Sequence, residues 1–305
     1  MKNKPLVSIC IPTYKRPEIV RETINSILTE NLDNSLVDIC ITDNSATDET
    51  KDLMNSEFGN IINVHYKKTA CSGFMNSIEA LKYGDGEFLK LHNDYSKFKR
   101  GELQNLVQII DKYKNKRPTI FFSMGALKKN KKIEAFNSFD DFMYDIHYYS
   151  TWSSAFGIWK NDLDRLILDE VDMDRMFPHT SLLFNMTNSV SYIVDDNQYV
   201  DNLPLKKKGG YNLPDNFIRL YLNMVKQLLF NKNISEKTYR KIEAGIIRFV
   251  AQWYSIVKYN RDIYSFSFDG DKKLIEDICG RDGVTKYLLW KEIYKIKYSL
   301  RKLVK

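Results

Sequence analysis

Short apolar runs alternate with amphipathic stretches between residues 6 and 124. Residues 6–11 (LVSICI), Val37–Thr42 and Phe88–Leu91 are rich in β-branched or large apolar side chains, which is typical of buried strands. Between the first two runs, Glu18–Leu28 carries apolar residues at the spacing of an amphipathic helix. Because strands that alternate with helices usually form parallel sheets, the pattern predicts an α/β fold with a mostly parallel sheet.

Each of these three predicted strands is followed directly by polar residues. The first is expected to end at Pro12, since proline lacks the N–H that a central strand donates, and Thr13–Arg16 follows it. The second leads into Asp43, and the third into residues 92–94 (His-Asn-Asp). Ligands of α/β folds collect beyond the carboxyl ends of the strands, so these side chains are candidates for one shared binding site.

The pattern changes near Leu203. Residues 206–210 (KKKGG) are typical of a linker, and from Asp215 onward the apolar spacing predicts helices almost throughout. The last predicted helix, 285–303, interleaves apolar and aromatic residues with basic ones. The basic residues are Lys286, Lys291, Lys295, Lys297, Arg301 and Lys302, and Lys305 follows the helix. Such a helix suits an anionic membrane surface, and the alternative is a terminal helix packed on its own domain with a solvated basic face.

Composition and charge narrow the classes of function. The 305 residues carry a net charge of +7 and are 13% aromatic, which favours anionic partners such as nucleoside diphosphates, anionic lipid or nucleic acid. We expect no nucleic-acid partner, because the basic tail is amphipathic rather than evenly basic. The four cysteines form no Cys-x-x-Cys pair, which argues against structural zinc and favours a reducing cytosol.

Motifs that the sequence lacks exclude further classes. Neither a signal peptide nor an apolar run of about 20 residues is visible, so we expect a cytoplasmic protein. The sequence contains no Gly-x-Gly-x-x-Gly fingerprint, no Walker A loop and no serine nucleophile elbow. The usual dinucleotide fingerprint is therefore excluded, and a P-loop kinase is disfavoured.

Two of the strand-end groups offer specific chemistry. Asp43 could accept hydrogen bonds from a ribose hydroxyl or a base, or else cap the next helix. Asp94 could hold Mg²⁺ or Mn²⁺ beside phosphates, with His92 and Asn93 supporting the ion or its waters. The alternative is that Asp94 caps the following turn and that His92 is an ordinary half-buried histidine.

A further polar group lies later in the chain. An acidic stretch, Asp169, Glu170, Asp172 and Asp174, is followed by His179. A base that deprotonates an attacking hydroxyl must face the metal across the substrate, and histidine has a suitable intrinsic pKa. The alternative is a solvated acidic loop.

Taken together, these segments make the chain resemble the inverting family 2 glycosyltransferases with the GT-A fold, common in bacterial surface-polysaccharide synthesis. The matching segments follow in the family's order: residues 7–17 (VSICIPTYKRP), 41–50 (ITDNSATDET), Gly73 with Asn76, and 86–94 (GEFLKLHND). Residues 153–159 and 177–180 (FPHT) resemble acceptor-side segments of the subset that includes abequosyltransferase-like enzymes.

The resemblance implies a domain plan and a set of site residues. It implies a GT-A domain over residues 1–205, with a nucleotide-binding half (1–115) and an acceptor-binding half (116–205), and then a helical region (206–305). It implies that the nucleotide-sugar is bound by Pro12, Thr13, Tyr14, Arg16, Asp43, Asn76, His92 and Asn93. The family's third strand ends in an aspartate-rich metal motif, which implies Asp94 as the ligand of Mn²⁺ or Mg²⁺. It also implies a catalytic base at His179, with Asp172 and Asp174 as rivals.

The function implied by the resemblance is sugar transfer from a nucleotide-diphosphate donor, first of all a UDP-sugar, with inversion. The implied acceptor is a hydroxyl of a lipid-linked bacterial surface glycan, such as capsule or O-antigen. The enzyme would work in the cytoplasm at the inner face of the cell membrane, as a peripheral protein. The alternative is a non-catalytic nucleotide-sugar-binding or scaffold protein of the same pathway. This alternative is favoured because Asp94, between Asn93 and Tyr95, is the single aspartate at the position of the family's aspartate-rich motif.

Overall fold

The structure is a computed structural model, and it describes residues 4–33, 35–169, 171–205 and 208–303. The chain divides into two compact units. Unit 1 comprises Met1–Phe142 and Tyr149–Leu203, and unit 2 comprises Met143–Tyr148 and Pro204–Lys305. The expected division of the first unit into a nucleotide-binding and an acceptor-binding half stays a prediction.

The described part of residues 4–205 contains ten strands and seven α-helices. The strands are β1 (Val7–Thr13), β2 (Val37–Asp43), β3 (Val64–Lys68), β4 (Phe88–Leu91), β5 (Ser96–Phe98), β6 (Thr119–Phe122), β7 (Ile133–Phe136), β8 (Gly157–Trp159), β9 (Tyr192–Asp195) and β10 (Val200–Asn202). The helices are α1 (Pro17–Leu28), α2 (Glu49–Leu53, continued by a π-helical turn Met54–Phe58), α3 (Asn76–Tyr83), α4 (Glu102–Tyr113), α5 (Phe139–Ile146), α6 (Lys160–Leu168) and α7 (Pro178–Phe184).

The main sheet of unit 1 has the strand order β3-β2-β1-β4-β8. The first four strands are parallel, and β8 runs antiparallel to β4. A three-stranded sheet (β6-β9-β7) and a two-stranded pair (β10-β5) complete the unit. The α/β fold with a mostly parallel sheet is therefore confirmed, and its parallel strands end at one edge.

The central strands β1 and β2 are covered on both faces, which is why their sequences are almost continuously apolar. Ile9, Ile11, Ile39 and Ile41 are completely buried, and α3 packs against both strands. Burying one such side chain stabilises the fold by roughly 1.5–3 kcal/mol, so these two strands anchor the first unit.

The prediction that Pro12 ends the first strand is wrong. Pro12 lies inside β1, opposite Thr42 of β2. Its ring nitrogen is on the β4 side, where the Cys10 carbonyl still accepts from His92 N–H at 2.8 Å but β4 has already ended at Leu91. The missing N–H of proline therefore breaks no ladder hydrogen bond, which allows the strand to continue to Thr13.

Unit 2 is mostly helical, as predicted, but it also contains a strand pair. Its helices are α8 (Leu222–Phe230, preceded by a π-helical turn Asp215–Tyr221), α9 (Glu236–Tyr259) and α10 (Asp271–Leu303), and its strands are β11 (Lys208–Asn212) and β12 (Tyr264–Ser267). α9 packs along α10, and β11 pairs with β12 in parallel. At Gly280 a φ of 71° interrupts α10, just before the helix predicted over residues 285–303.

The predicted linker over residues 206–210 is wrong for the part that the structure describes. Lys206 and Lys207 lie outside the described residues, and Lys208–Gly210 begins β11. At Gly209 φ is +139° and an added Cβ would lie 2.7 Å from the Phe266 nitrogen, so glycine allows the close approach of β11 to β12. The Gly-Gly pair thus serves strand pairing. Within the described residues, no helix combines the length and apolarity that crossing a bilayer requires.

Candidate functional site

The carboxyl ends of β1, β2 and β4 bring three of the predicted site residues together. Thr13 and Asp43 are opposite each other in the register of β1 and β2. The Thr13 hydroxyl donates to Asp94 Oδ2 at 2.8 Å, across 81 residues of sequence. Residues from three separate strands therefore meet at one point of the sheet edge, as parallel topology allows.

The Asp94 carboxylate is buried and held from several sides. Arg16 Nη1 donates to Asp94 Oδ1 at 3.0 Å, and the Thr23 hydroxyl of α1 donates to the Asp94 carbonyl at 2.8 Å. Burial raises the pKa of Asp94, while Arg16 and the Thr13 hydroxyl act in the opposite direction. Asp94 is only 4% exposed, so its charge is balanced by the neighbouring guanidinium rather than by bulk water.

The Asp43 carboxylate is fully buried at the end of β2. Its Oδ1 accepts from the Ser45 backbone N–H at 2.9 Å and from the Ser45 hydroxyl. Its Oδ2 accepts from the Tyr66 hydroxyl at 3.1 Å, and Lys68 Nζ lies 3.7 Å away. Burial, followed by the charge of Asp43, raises the pKa of Tyr66, so this phenol stays a donor at neutral pH. Nucleotide recognition by Asp43 stays a prediction.

Asn76 binds the protein itself at the start of α3. Its Nδ2 donates to the carbonyls of Thr13 (3.1 Å) and Thr42 (2.9 Å), and its Oδ1 accepts from the Thr69 hydroxyl at 3.0 Å. These bonds join the ends of β1 and β2 to the loop after β3. The amide therefore shapes the site, and a direct contact between Asn76 and a ligand stays a prediction.

Tyr14 and Lys15 follow β1 and face solvent. The Tyr14 side chain is 51% exposed, and Lys15 Nζ lies 5.1 Å from its ring centroid. Lys15 has a φ of 55°, and its N–H donates to Ser45 Oγ at 2.7 Å. Pro12, just before them, is half-buried. The left-handed turn at Lys15 thus lies between the exposed tyrosine and the ion pair of the partly exposed Arg16 with the buried Asp94.

His92 is packed into the core rather than presented to a ligand. Its ring stacks on Phe98 at 4.8 Å between centroids, and Nε2 lies 2.7 Å from the Ser96 carbonyl. Burial, with a contribution from the charge of Lys90, lowers the pKa of His92 to about 3. The alternative of an ordinary half-buried histidine is therefore wrong in its burial, because only 1% of the residue is exposed. Support of an ion or a nucleotide by His92 stays a prediction.

The acceptor-side residues fall into three different environments. His179 on α7 is buried, with Nε2 3.1 Å from the Thr151 carbonyl, and burial lowers its pKa to about 4. Asp174 Oδ1 accepts from the N–H groups of Met176 and Phe177, both at 2.8 Å, just before that helix. Asp172 is exposed, and Glu170 lies outside the described residues. Catalysis by His179, Asp172 or Asp174 stays a prediction.

One short segment, Ser150–Ser154, links α7 to the strand-end site. The Ser150 carbonyl accepts from the Thr180 hydroxyl at 3.0 Å, beside the Thr151–His179 contact. The Ser153 hydroxyl donates to Asn93 Oδ1 at 3.2 Å, and Asn93 Nδ2 donates to the Tyr95 hydroxyl at 3.2 Å. His179 is thus connected to the end of β4 through neighbouring residues of this segment.

Sequence reasoning missed several residues that build the site. The Thr23 hydroxyl donates to the Asp94 carbonyl, and Tyr66 and Ser45 both donate to Asp43. Lys90 contacts the Ser150–Ser154 segment from the core. The fully buried Lys90 Nζ donates to the Leu91 carbonyl at 2.7 Å and to the Ser154 carbonyl, and burial lowers its pKa to about 7. Tyr66 could have been found from strand order, since it lies beside Ile41 in β3, whereas Thr23 and Lys90 carry no sequence signal of their own.

The residues around Asp94 are a poor set of ligands for a divalent ion. No group of three or more His, Cys, Asp or Glu side chains that could hold a metal occurs in the described parts of the chain. Asp94 Oδ1 is ion-paired with Arg16, and the Asn93 amide is bonded to Tyr95 and Ser153. His92 Nε2 contacts the Ser96 carbonyl, whereas Nδ1 is buried and makes no hydrogen bond. Mg²⁺ is usually bound by one or two carboxylates together with waters and substrate phosphates, and here both oxygens of Asp94 already have partners, Arg16 and Thr13.

Two sequence matches bear on this geometry. Residues 8–158 match the model of a family described as glycosyl transferase family 2. A stretch of 50 residues, 16% of this chain, is 44% identical to abequosyltransferase RfbV of Salmonella typhimurium. That match spans 15% of the relative's length, so it extends to only a small part of the relative.

Solved structures are similar over nearly the whole chain. Residues 1–349 of S. aureus TarS give a TM-score of 0.59 at 14% identity, over 95% of this chain and 91% of theirs. The same TarS fragment with UDP-GlcNAc gives 0.58 at 13% identity, over 95% and 92%. Mannosyltransferase PcManGT from Pyrobaculum calidifontis, in complex with GDP-Man and Mn²⁺, gives 0.54 at 12% identity, over 97% and 88%. Identities this low show a common fold and nothing about the activity.

Proposed function

The chain belongs to glycosyl transferase family 2 through residues 8–158 and has the GT-A fold, and from this premise we propose that it transfers a sugar from a nucleoside diphosphate to a hydroxyl. We propose a UDP-sugar as the donor, which the fold shared with the TarS fragment bound to UDP-GlcNAc supports. We further propose a single displacement that inverts the configuration of the transferred sugar.

One observation carries this proposal, namely the meeting of three strand ends at a single point. Thr13 lies opposite Asp43, and its hydroxyl donates to the Asp94 carboxylate. Arg16 brings a guanidinium to the same point, and guanidinium groups suit phosphate oxygens. Tyr14 leaves an exposed aromatic face beside them, on which a nucleobase can stack. The site therefore has candidate contacts for each part of a nucleoside diphosphate.

The proposed transfer breaks one bond and forms one. The bond between the anomeric carbon and the diphosphate oxygen breaks, and its electron pair leaves with the nucleoside diphosphate. The acceptor oxygen bonds to the anomeric carbon from the opposite face, and the hydroxyl proton passes to a base. We propose His179 as that base, with Asp172 and Asp174 as rivals. Since His179 Nε2 is held by the Thr151 carbonyl, Nδ1 is the nitrogen that would take the proton.

A divalent ion at Asp94 is a separate prediction. Such an ion would neutralise charge on the leaving diphosphate. The Mn²⁺ in the PcManGT complex is the observation in its favour, and the ion pair between Asp94 and Arg16 is the observation against it. Because the side chains present do not fit an ion, we derive no step through it, and the binding measurements described below test it.

We propose a lipid-linked glycan as the acceptor and peripheral contact with an anionic membrane through α10. Four apolar side chains, Leu289, Ile293, Ile296 and Leu300, are exposed along one side of this helix, opposite the buried Tyr287 and Tyr294. Lys286 and Lys297 are exposed along one side of this apolar stripe, which supports an anionic surface as its partner, and Glu292 on the other side is paired with Lys295. By contrast, Lys291 is turned inward onto Asp271 at 3.3 Å, so it does not belong to that face.

Liposome flotation tests the membrane contact. We expect the full chain to float with vesicles that contain phosphatidylglycerol and not with pure phosphatidylcholine. Replacing Ile293 and Ile296 by serine should abolish flotation, while Leu168→Ser, at another exposed leucine, should leave it unchanged. Equal flotation of both variants would refute the assignment of this face.

The pathway that we propose is bacterial surface-polysaccharide synthesis, of capsule or O-antigen, at the cytoplasmic face of the cell membrane. The partial match to an abequosyltransferase supports it. Four free cysteines, two of them buried in the main sheet, suit a reducing compartment. These parts of the proposal depend on the acceptor, which only an activity assay identifies.

The direct test is turnover of nucleotide-sugars by the purified chain. We expect one or more UDP-, GDP- or CDP-sugars to be hydrolysed slowly and transferred faster when a lipid-linked glycan is added. Asp94→Asn should lower turnover at least tenfold while the circular dichroism spectrum stays unchanged, and Asp201→Asn, at an exposed carboxylate, is the matched control. A broad panel that gives neither binding nor hydrolysis would refute the proposal.

A second candidate is a nucleotide-sugar-binding protein without catalytic activity. The observation in its favour is the same Asp94, whose single carboxylate is already paired with Arg16. Binding of a nucleotide-sugar without hydrolysis or transfer, under every acceptor and metal condition tried, would select this candidate over the transferase.

A further inference from the structure

The position expected for a metal is already faced by a positive charge that belongs to the chain. Arg16 Nη1 lies 3.0 Å from Asp94 Oδ1, and Thr13 Oγ1 occupies the other carboxylate oxygen at 2.8 Å. Asp94 is buried, whereas the Arg16 side chain is 38% exposed. The guanidinium therefore lies between a buried carboxylate and the solvent-facing side of the strand ends.

This geometry leaves Arg16 able to reach a second anion. A guanidinium has five N–H donors in a planar fork, and Arg16 uses one nitrogen, Nη1, on Asp94. Planar donors of this kind match the oxygens of phosphate groups in a bidentate manner. The buried carboxylate would then orient the guanidinium, and the outer N–H groups would meet the diphosphate.

A divalent ion at the same carboxylate would have to displace this arrangement. It would take Asp94 Oδ1 from Arg16 and would leave two positive centres next to each other. His92 Nε2 contacts the Ser96 carbonyl, and the ring is stacked on Phe98. Its other nitrogen, Nδ1, makes no hydrogen bond, but the residue is only 1% exposed. The amide of Asn93 is bonded to Tyr95 and Ser153.

We propose that Arg16, oriented by Asp94, neutralises the donor diphosphate in place of a divalent metal, so that nucleotide binding and transfer do not require one. This inference rests on the proposed function and concerns the same site. As the bond to the anomeric carbon breaks, the electron pair moves onto the diphosphate, and the guanidinium hydrogen bonds strengthen with that added charge. No atom or electron beyond those of donor and acceptor takes part.

Calorimetric titration of the full chain with UDP tests this proposal, with uridine as the comparison ligand. In wild type, UDP affinity in 1 mM EDTA and in 1 mM Mn²⁺ should agree within about twofold. Arg16→Gln should lower UDP affinity about 10- to 100-fold, as expected for loss of a charged hydrogen bond, and should leave uridine affinity unchanged. Arg21→Gln removes an arginine of α1, the helix that follows Arg16, where it is paired with Glu18 and Glu57, and this variant should bind UDP as wild type does.

A further variant allows for misfolding, because Arg16→Gln leaves Asp94 buried without its cation. The double variant Arg16→Gln with Asp94→Asn removes both charges, and it should fold and bind UDP as weakly as the single variant. UDP binding that needs Mn²⁺ and disappears in EDTA overturns the inference and leaves sugar transfer standing. Wild type that binds no UDP, GDP or CDP under either condition overturns both. Equal losses for UDP and uridine in Arg16→Gln also overturn it, because the arginine would then act through the fold.

Discussion

Asn76 gives the sharpest test of how the strand ends are held together. Its side chain makes three hydrogen bonds with nitrogen or oxygen partners, to the carbonyls of Thr13 and Thr42 and from the Thr69 hydroxyl, besides a weak one from the Cys71 thiol at 3.7 Å. Asn76→Ala removes all three and leaves two buried backbone carbonyls without these donors. At about 1 kcal/mol of net stability for each bond, the free energy of unfolding should fall by about 3 kcal/mol. That is a large share of the roughly 5–15 kcal/mol by which folded proteins are stable.

Urea unfolding, followed by circular dichroism, measures this change. With a denaturant slope near 3 kcal/mol/M, the unfolding midpoint of Asn76→Ala should shift down by about 1 M. Ser77→Ala is the matched control, because the neighbouring Ser77 hydroxyl makes one hydrogen bond, to the Phe74 carbonyl at 2.8 Å, and should cost about 1 kcal/mol. UDP affinity should fall in Asn76→Ala and not in Ser77→Ala. A loss of stability no larger than that of the control would refute the claim that the Asn76 side chain holds these strand ends together.

Two further predictions concern titratable groups. Because burial lowers the pKa of Lys90 from 10.5 to about 7, the unfolded chain binds more protons than the native one above pH 7, and this lysine makes stability rise with pH. Between pH 7 and 8.5, the free energy of unfolding of wild type should rise by about 1–2 kcal/mol more than that of Lys90→Met, as measured by urea unfolding at each pH. The same pH dependence in both proteins would contradict this prediction. For the base, His179→Gln should lower turnover at least about 100-fold with the fold intact, while Asp172→Asn and Asp174→Asn should stay within about threefold of wild type. A large loss in Asp172→Asn alone would transfer the role to that carboxylate.

The fold was largely predictable from the sequence, because its strands are its most apolar segments. Buried parallel strands read as continuous β-branched runs, so β1 and β2 stand out without any knowledge of their neighbours. Pro12 was misjudged because its tolerance depends on where β4 ends, which is a property of the sheet and not of the local sequence. The pair β11-β12 was missed because these strands are short, only partly buried, and separated in sequence by two helices, α8 and α9.

The candidate site was predictable in its location and less so in its chemistry. Residues at the ends of parallel strands meet at one edge, so Thr13, Asp43 and Asp94 could be placed together in advance. The ion pair of Arg16 with Asp94 depends on the left-handed turn at Lys15 and on the start of α1, which no residue pattern announces. The burial of His92 depends on its stacking against Phe98, six residues further along. Side-chain direction, rather than backbone topology, was the part that sequence reasoning could not supply.

The central claim is that one diphosphate is bound where β1, β2 and β4 end. A crystal structure of the chain with UDP, obtained in EDTA and again in Mn²⁺, tests it most directly. The account predicts that the diphosphate lies against the Arg16 guanidinium next to Thr13 and Asp94, with the base on the Tyr14 side and the same pose in both crystals. Nucleotide bound away from these strand ends, or a diphosphate held through Mn²⁺ on Asp94 with Arg16 turned away, would contradict it.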